Sequence, residues 1–240
     1  MKNTHPSKIN HLLGLNFNDT DNIWLTKQKT LRSLVGILGM LLPLLLWLFL
    51  LVDTQQTTVL DSISHYYFTR VSSIFSIILG MLAFFLLIYK GYDAKDFIAS
   101  SLAGIFALCV VLFPTSNISD TCFDPEKPYS VTILRNNHFR IGFHYFSAAV
   151  FLSSLAYMSI FLFTKSDKSP SKRGISKRNR NRVYRTCGIF MLSAILVIAG
   201  GQFLFRDFYQ RNHLTFWMET LAVESFGISW LVKGEWLWKD

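Results

Sequence analysis

Apolar residues fall into six separate runs, at about residues 33–52, 71–89, 97–114, 141–164, 187–205 and 214–232, divided by polar segments. A hydrocarbon core of about 30 Å takes roughly 20 residues of α-helix at about 1.5 Å per residue. Each run is close to that length. The pattern predicts an all-α fold, a polytopic membrane helix bundle with six transmembrane helices. The polar segments at 90–96 and 206–213 are short, so the second and third runs, and the fifth and sixth, should form adjacent antiparallel pairs. Six spans use most of the 240 residues. That predicts one membrane domain at 32–234, a cytoplasmic N-terminal arm at 1–31 and a cytoplasmic tail at 235–240. The arm lacks the layout of a signal peptide and should stay on the chain.

Charge orients the bundle. With both ends inside, eighteen Lys and Arg fall on the cytoplasmic side and six on the other. That asymmetry predicts an N-in, C-in topology. It also accounts for the net charge of +9 without nucleic acid. The densest basic stretch, Lys172 to Arg182, has no interleaved aromatics and no nucleic-acid-binding fold around it. Its natural partners are membrane lipids, whose anionic headgroups attract such segments by about 1 kcal/mol per basic residue. A second copy or another membrane protein is the other class of partner. Of the three cysteines, only Cys122 lies in an outer loop, so no intrachain disulfide can close there. Asn117-Ile118-Ser119 fits a glycosylation acceptor.

Small residues recur at close-packing intervals: Gly36 and Gly39, Ser76 and Gly80, Ser100 and Gly104, Gly200 and Gly201. In lipid, helices associate through such faces. Pro43 at the middle of the first run predicts a kink.

Ionisable residues inside spans are costly, so each is a candidate for function. The last run carries Glu219 and Glu224. Glu224 would lie roughly 15 Å deep, with Glu219 about half as deep and rotated by roughly 140°. A polar stripe of His213, Thr220, Glu224 and Gly227 follows one face. His65, His138, His144 and His213 all fall on the outer side. His144 should sit level with Glu219 and near Gln202, and Arg70 marks the mouth of the second run just after Asp61, Ser62, Ser64 and His65. An outward-opening pocket could gather His65, Arg70, His144, Gln202 and Glu219. Imidazoles beside a carboxylate suit zinc with an open position for water. His65, His144 and His213 are then the candidate metal ligands, and Glu219, Glu224 and Arg70 the candidate catalytic or coupling groups.

Three runs carry a resemblance: Asp61-Ser-Ile-Ser-His-Tyr-Tyr67, His144-Tyr-Phe-Ser-Ala-Ala149 and Glu224-Ser-Phe-Gly-Ile-Ser-Trp-Leu-Val-Lys-Gly-Glu235. Together they resemble an uncharacterised family of bacterial six-helix integral membrane proteins, which implies a fold and no activity. A looser likeness is to the membrane hydrolases that include alkaline ceramidases and adiponectin-receptor-like proteins, which cut lipid amides around zinc. Ser62 or Ser64 with His65 would stand for that superfamily's early Ser–His pair. The chain departs from the pattern in having six runs, a different Ser–His spacing, and no histidine pair beside Glu219 and Glu224. Three functions follow as expectations. The leading one is a non-catalytic membrane module for lipid sensing, assembly or partnership. The alternatives are a metal-dependent lipid hydrolase and a proton- or ion-coupled transporter. No phosphate-cradling glycine loop, Cys-x-x-Cys motif or nucleophile elbow is present.

Overall fold

The computed structural model describes residues 28–119, 121, 124–166, 174–204 and 206–236. Among them, regular structure is helical: α1 (Gln28–Thr54), a 3-10 turn (Ile63–Phe68), α2 (Ser72–Ile88), α3 (Ala94–Leu112), α4 (His138–Tyr157), α5 (Ile175–Leu204), α6 (Arg206–Arg211) and α7 (Leu214–Lys233). A single π turn, Met158–Leu162, extends α4. Among the described residues, four helices are long and apolar enough to cross a membrane: Gln28–Thr54, Ala94–Leu112, His138–Leu162 and Ile175–Gly201. α2 is apolar but only 17 residues long. α7 carries two glutamates along its apolar run and is not among the four. Leu44, Phe49, Ile77, Phe84, Leu112 and Leu196 all project from the bundle. An exterior this rich in large apolar side chains suits lipid better than water.

The helices close into a ring. α1 packs on α2, α2 on α3, α3 on α4, α4 on α5, α5 on α7, and α7 back on α1. The two pairs expected from short turns, α2/α3 and α5/α7, are neighbours. Small residues make several of these seams, as predicted. A Cβ on Gly36 would lie 2.7 Å from the Gly227 carbonyl oxygen, and one on Gly104 would lie 2.8 Å from that of Ala83. Ser100 is buried and donates to the Tyr89 carbonyl at 2.8 Å. Gly80 and Gly200 instead face open space. α1 runs unbroken through Pro43. It starts at Gln28, inside the segment assigned to the arm; residues 1–27 of that arm lie outside the described residues. Lys29 reaches Glu235 at 2.5 Å, bringing the start of α1 and the end of α7 together.

Each end of the ring is filled differently. At one end the segment between α1 and α2 folds inward. Ser62 caps the 3-10 turn by accepting from the Ser64 N–H at 3.1 Å, and Tyr66 and Phe68 are fully buried. An isolated antiparallel bridge from Thr69 to Ser130 ties this plug to the loop before α4. That loop is itself clamped by Asn117, whose side chain exchanges hydrogen bonds with the Leu134 backbone, so the acceptor-like Asn117 is engaged in the fold. At the opposite end an aromatic layer seals the ring. Trp230 lies 5.1 Å from Tyr89, 5.5 Å from Phe163 and 5.8 Å from Phe226, centroid to centroid. The turn into α3 is built there by Gly91, whose φ of +66° favours a residue without Cβ. Asp93 and Asp96 then form a reciprocal capping box.

Candidate functional site

α4 and α5 touch near the aromatic end and part toward the plug. At the tight end a Cβ on Gly188 would meet Ile160 at 2.2 Å, and Ser159 donates to the Tyr184 carbonyl at 2.8 Å. At the other end Gly142 and Gly200 have no neighbour within 4 Å. A cavity of about 770 Å³ occupies this divergence. Its polar end is lined by Asp61, Ser62, His65, His144, His213 and Glu219. Its apolar wall comes from Ala148, Ala149 and Leu152 on α4 and Ile195, Ile198 and Ala199 on α5. Ala149 and Ala199 are exposed, so this wall reaches the outer face of the bundle.

Hydrogen bonds from the plug hold the polar end in place. The Glu219 carboxyl accepts from the Ser62 hydroxyl at 2.9 Å and from the Ile63 N–H at 2.6 Å. That joins the middle of α7's first half to the 3-10 turn. The start of α7 is joined to the same segment, because the Phe216 N–H donates to the Asp61 carbonyl at 3.0 Å. His213 precedes α7 with φ 48° and ψ 41°, a left-handed conformation that histidine enters more readily than most residues. Its Nδ1 lies 2.6 Å from Asp61 Oδ1. His144 is buried, with Nδ1 2.8 Å from the Phe113 carbonyl oxygen. Burial pushes His65 down to about 4, opposed by nearby Asp61 and reinforced by His144 and Lys127. His65 is therefore a neutral imidazole at pH 7.

The expected pocket exists, with a different membership. His65, His144, His213 and Glu219 line it. Arg70 does not: its Nε sits 3.5 Å from Asp53 Oδ2, with the side chain 57% exposed. Arg70 follows the buried plug and points away from it. Glu224 does not line the cavity either. It is half-buried, with no hydrogen bond or ion pair among the described residues. The stripe to which it belongs ends at Gly227, against Gly36 and Met40 of α1, so part of that face is a helix seam. The side chain of Gln202 lies outside the described residues.

The three histidines share the cavity lining. Among the described residues no group of three or more His, Cys, Asp or Glu is arranged to hold a metal ion. Two of the rings are engaged through Nδ1. His144 has one nitrogen committed to a carbonyl and His213 one to a carboxylate, on separate elements. Two pairings were missed by sequence reasoning, Asp61 with His213 and Ser62 with Glu219. Each joins residues more than 150 positions apart, and no local pattern signals either. No protein-family model matches the chain, and no curated protein or solved structure matches it.

Proposed function

We propose that this protein is a six-span membrane module, N-in and C-in, that binds a membrane amphiphile in the cavity between α4 and α5. The observation that carries the reading is the amphipathic lining. A polar end rich in imidazole and carboxyl groups continues into an alanine, leucine and isoleucine wall that opens to the bundle's apolar exterior. Apolar pockets with a few convergent polar groups are the usual form of a small-molecule site. A headgroup with hydrogen-bond donors and acceptors suits the first part and an acyl chain the second. The six-span topology is supported by the closed ring, by the Lys29–Glu235 contact at a shared end and by the eighteen-to-six distribution of Lys and Arg. That bias, with the motif resemblance noted above, supports the cytoplasmic membrane of a bacterium.

The test is native mass spectrometry of the full chain in a mild uncharged detergent, after incubation with membrane lipid. Wild type should retain an amphiphile at near one-to-one stoichiometry. Ala148→Trp fills the wall and should lose it, while Ile77→Trp on the outer face of α2 should not. Equal retention by both variants would remove the cavity from the explanation.

A second reading has one specific observation in its favour. Asp61 holds Nδ1 of His213 at 2.6 Å, the way an orienting carboxylate prepares a general base. Hydrolysis of the bound lipid would follow, and lipid amides and esters incubated with the protein would release fatty acid. Absence of release with retained binding leaves the non-catalytic module. Ion coupling through Glu224 has no such contact among the described residues, since Glu224 stands apart from the cavity.

A further inference from the structure

Several cations gather at the end of the bundle opposite the cavity. Phe163 marks the place. The Lys233 ammonium stands 5.3 Å from its ring centroid and 4.7 Å from that of Tyr92. The Lys177 ammonium donates to the Phe163 carbonyl at 3.3 Å. Asn181 reaches the next carbonyl, Thr164, at 3.5 Å. Arg180 is only 6% exposed. Arg32 lies over Tyr89, 5.7 Å from the centroid, and donates to Gln28 at 3.1 Å. Its Nε is buried with no hydrogen-bond partner among the described residues. Arg32, Lys177 and Arg180 all add positive potential at Lys233, and Asp96 subtracts from it.

The carboxylates described at this end are already engaged. Lys165 bridges Asp93 at 2.8 Å and Asp96 at 3.1 Å. Asp96 also accepts from the backbone N–H groups of Tyr92 and Asp93. Glu235 belongs to Lys29. Among the described residues, Lys233 has aromatic faces for company and no carboxylate. Aromatic faces compensate a desolvated cation only in part, and several cations held together repel. A compact polyanion relieves both costs at once. Phosphate suits the donor set, since its oxygens take forked hydrogen bonds from guanidinium and point contacts from ammonium groups.

We propose that this end of the bundle binds a phosphate-bearing anion between Lys233 and Arg32, with Lys177 and Arg180 supplying further positive potential. The site is independent of the cavity and of what the cavity holds. Its ligand is either the phosphate of an anionic lipid headgroup, which reaches the end of a membrane helix bundle naturally, or free inorganic phosphate.

The experiment uses the full chain in uncharged detergent and follows its melting temperature. One arm titrates inorganic phosphate against sodium chloride at equal ionic strength. The other adds phosphatidic acid or phosphatidylcholine to the micelles. A rise with phosphatidic acid alone supports the site with a lipid headgroup as ligand; a rise with inorganic phosphate as well supports it with free phosphate also admitted. In either case Lys233→Gln should weaken the apparent affinity roughly tenfold or more, and Lys233→Arg should restore most of it. Lys95→Gln, an exposed lysine at the same end, should change nothing. Should Lys233→Gln not fold, Arg32→Gln carries the same comparison. No rise with either probe overturns the proposal. So does equal weakening by Lys95→Gln, which would mean diffuse attraction.

Discussion

Acid should destabilise this fold through His65, and the size of the effect follows from its surroundings. Burial within the plug holds the imidazole down to about 4, and His144 and Lys127 add to the burial while Asp61 opposes it. In the unfolded chain the same group titrates near about 6.5. The folded-state value is thus the lower one. Between the two values the unfolded chain takes up a proton that the folded protein refuses, so stability falls as pH drops. The contribution is intact above about 6.5, and the loss reaches about 2 kcal/mol by pH 5 and about 3 kcal/mol by pH 4. Unfolding in mixed micelles with increasing sodium dodecyl sulfate measures it, at several pH values from 7 to 5. Other groups titrate in this range too, so the comparison is with His65→Gln, which keeps a polar side chain and removes the titration. Wild type should lose about 2 kcal/mol more than the variant on going from pH 7 to pH 5. Parallel curves for the two proteins would refute the reasoning: His65 would then be as accessible to protons in the fold as in the unfolded chain.

The other predictions concern packing and the membership of the site. Gly227→Leu should cost about 3 kcal/mol or more in the same assay, because even a Cβ there would meet Met40 at 2.2 Å and the Gly36 carbonyl at 2.7 Å. Gly200→Leu, facing open space, should cost no more than about 1 kcal/mol. Arg70→Gln breaks only an exposed 3.5 Å pair with Asp53 and should shift stability by less than about 1 kcal/mol, with amphiphile retention unchanged. Glu219→Gln keeps the shape but offers one acceptor where the carboxyl has two. Hydrogen exchange should then quicken at the Ile63 amide, which now donates to it at 2.6 Å.

Much of the site was legible before the fold. Glu219 and His144 stand out because ionisable residues in apolar runs are costly, and both line the cavity. Glu224 stands out by the same rule and Arg70 by its place at the mouth of the second run, and neither lines the cavity. The rule reads depth along a helix but not the direction a side chain takes once its neighbours are chosen. Arg70 follows a 3-10 turn whose buried residues are Ile63, Ser64, Tyr66 and Phe68, and the turn leaves the arginine on the outside beside Asp53. Glu224 belongs to a face of α7 that meets α1 at Gly227. His65, His144 and His213, expected together, do line one cavity, but among the described residues no group of three or more His, Cys, Asp or Glu is arranged to hold a metal ion.

The hydrophobic pattern alone determined that the chain is helical and suited to a membrane, where the apolar core of each long helix lies, and that small residues such as Gly36 and Gly104 make seams. Those features depend on distances of a few residues, over which helix geometry and the cost of exposed polar backbone act directly. The tertiary structure decided that the segment after α1 turns inward as a plug, that α4 and α5 diverge around a cavity, and that Asp61 meets His213 while Ser62 meets Glu219. Those contacts depend on which helix faces which around a closed ring. Apolar faces alike in lipid do not encode that choice; it is made by close packing and by the few buried hydrogen bonds that only one arrangement satisfies.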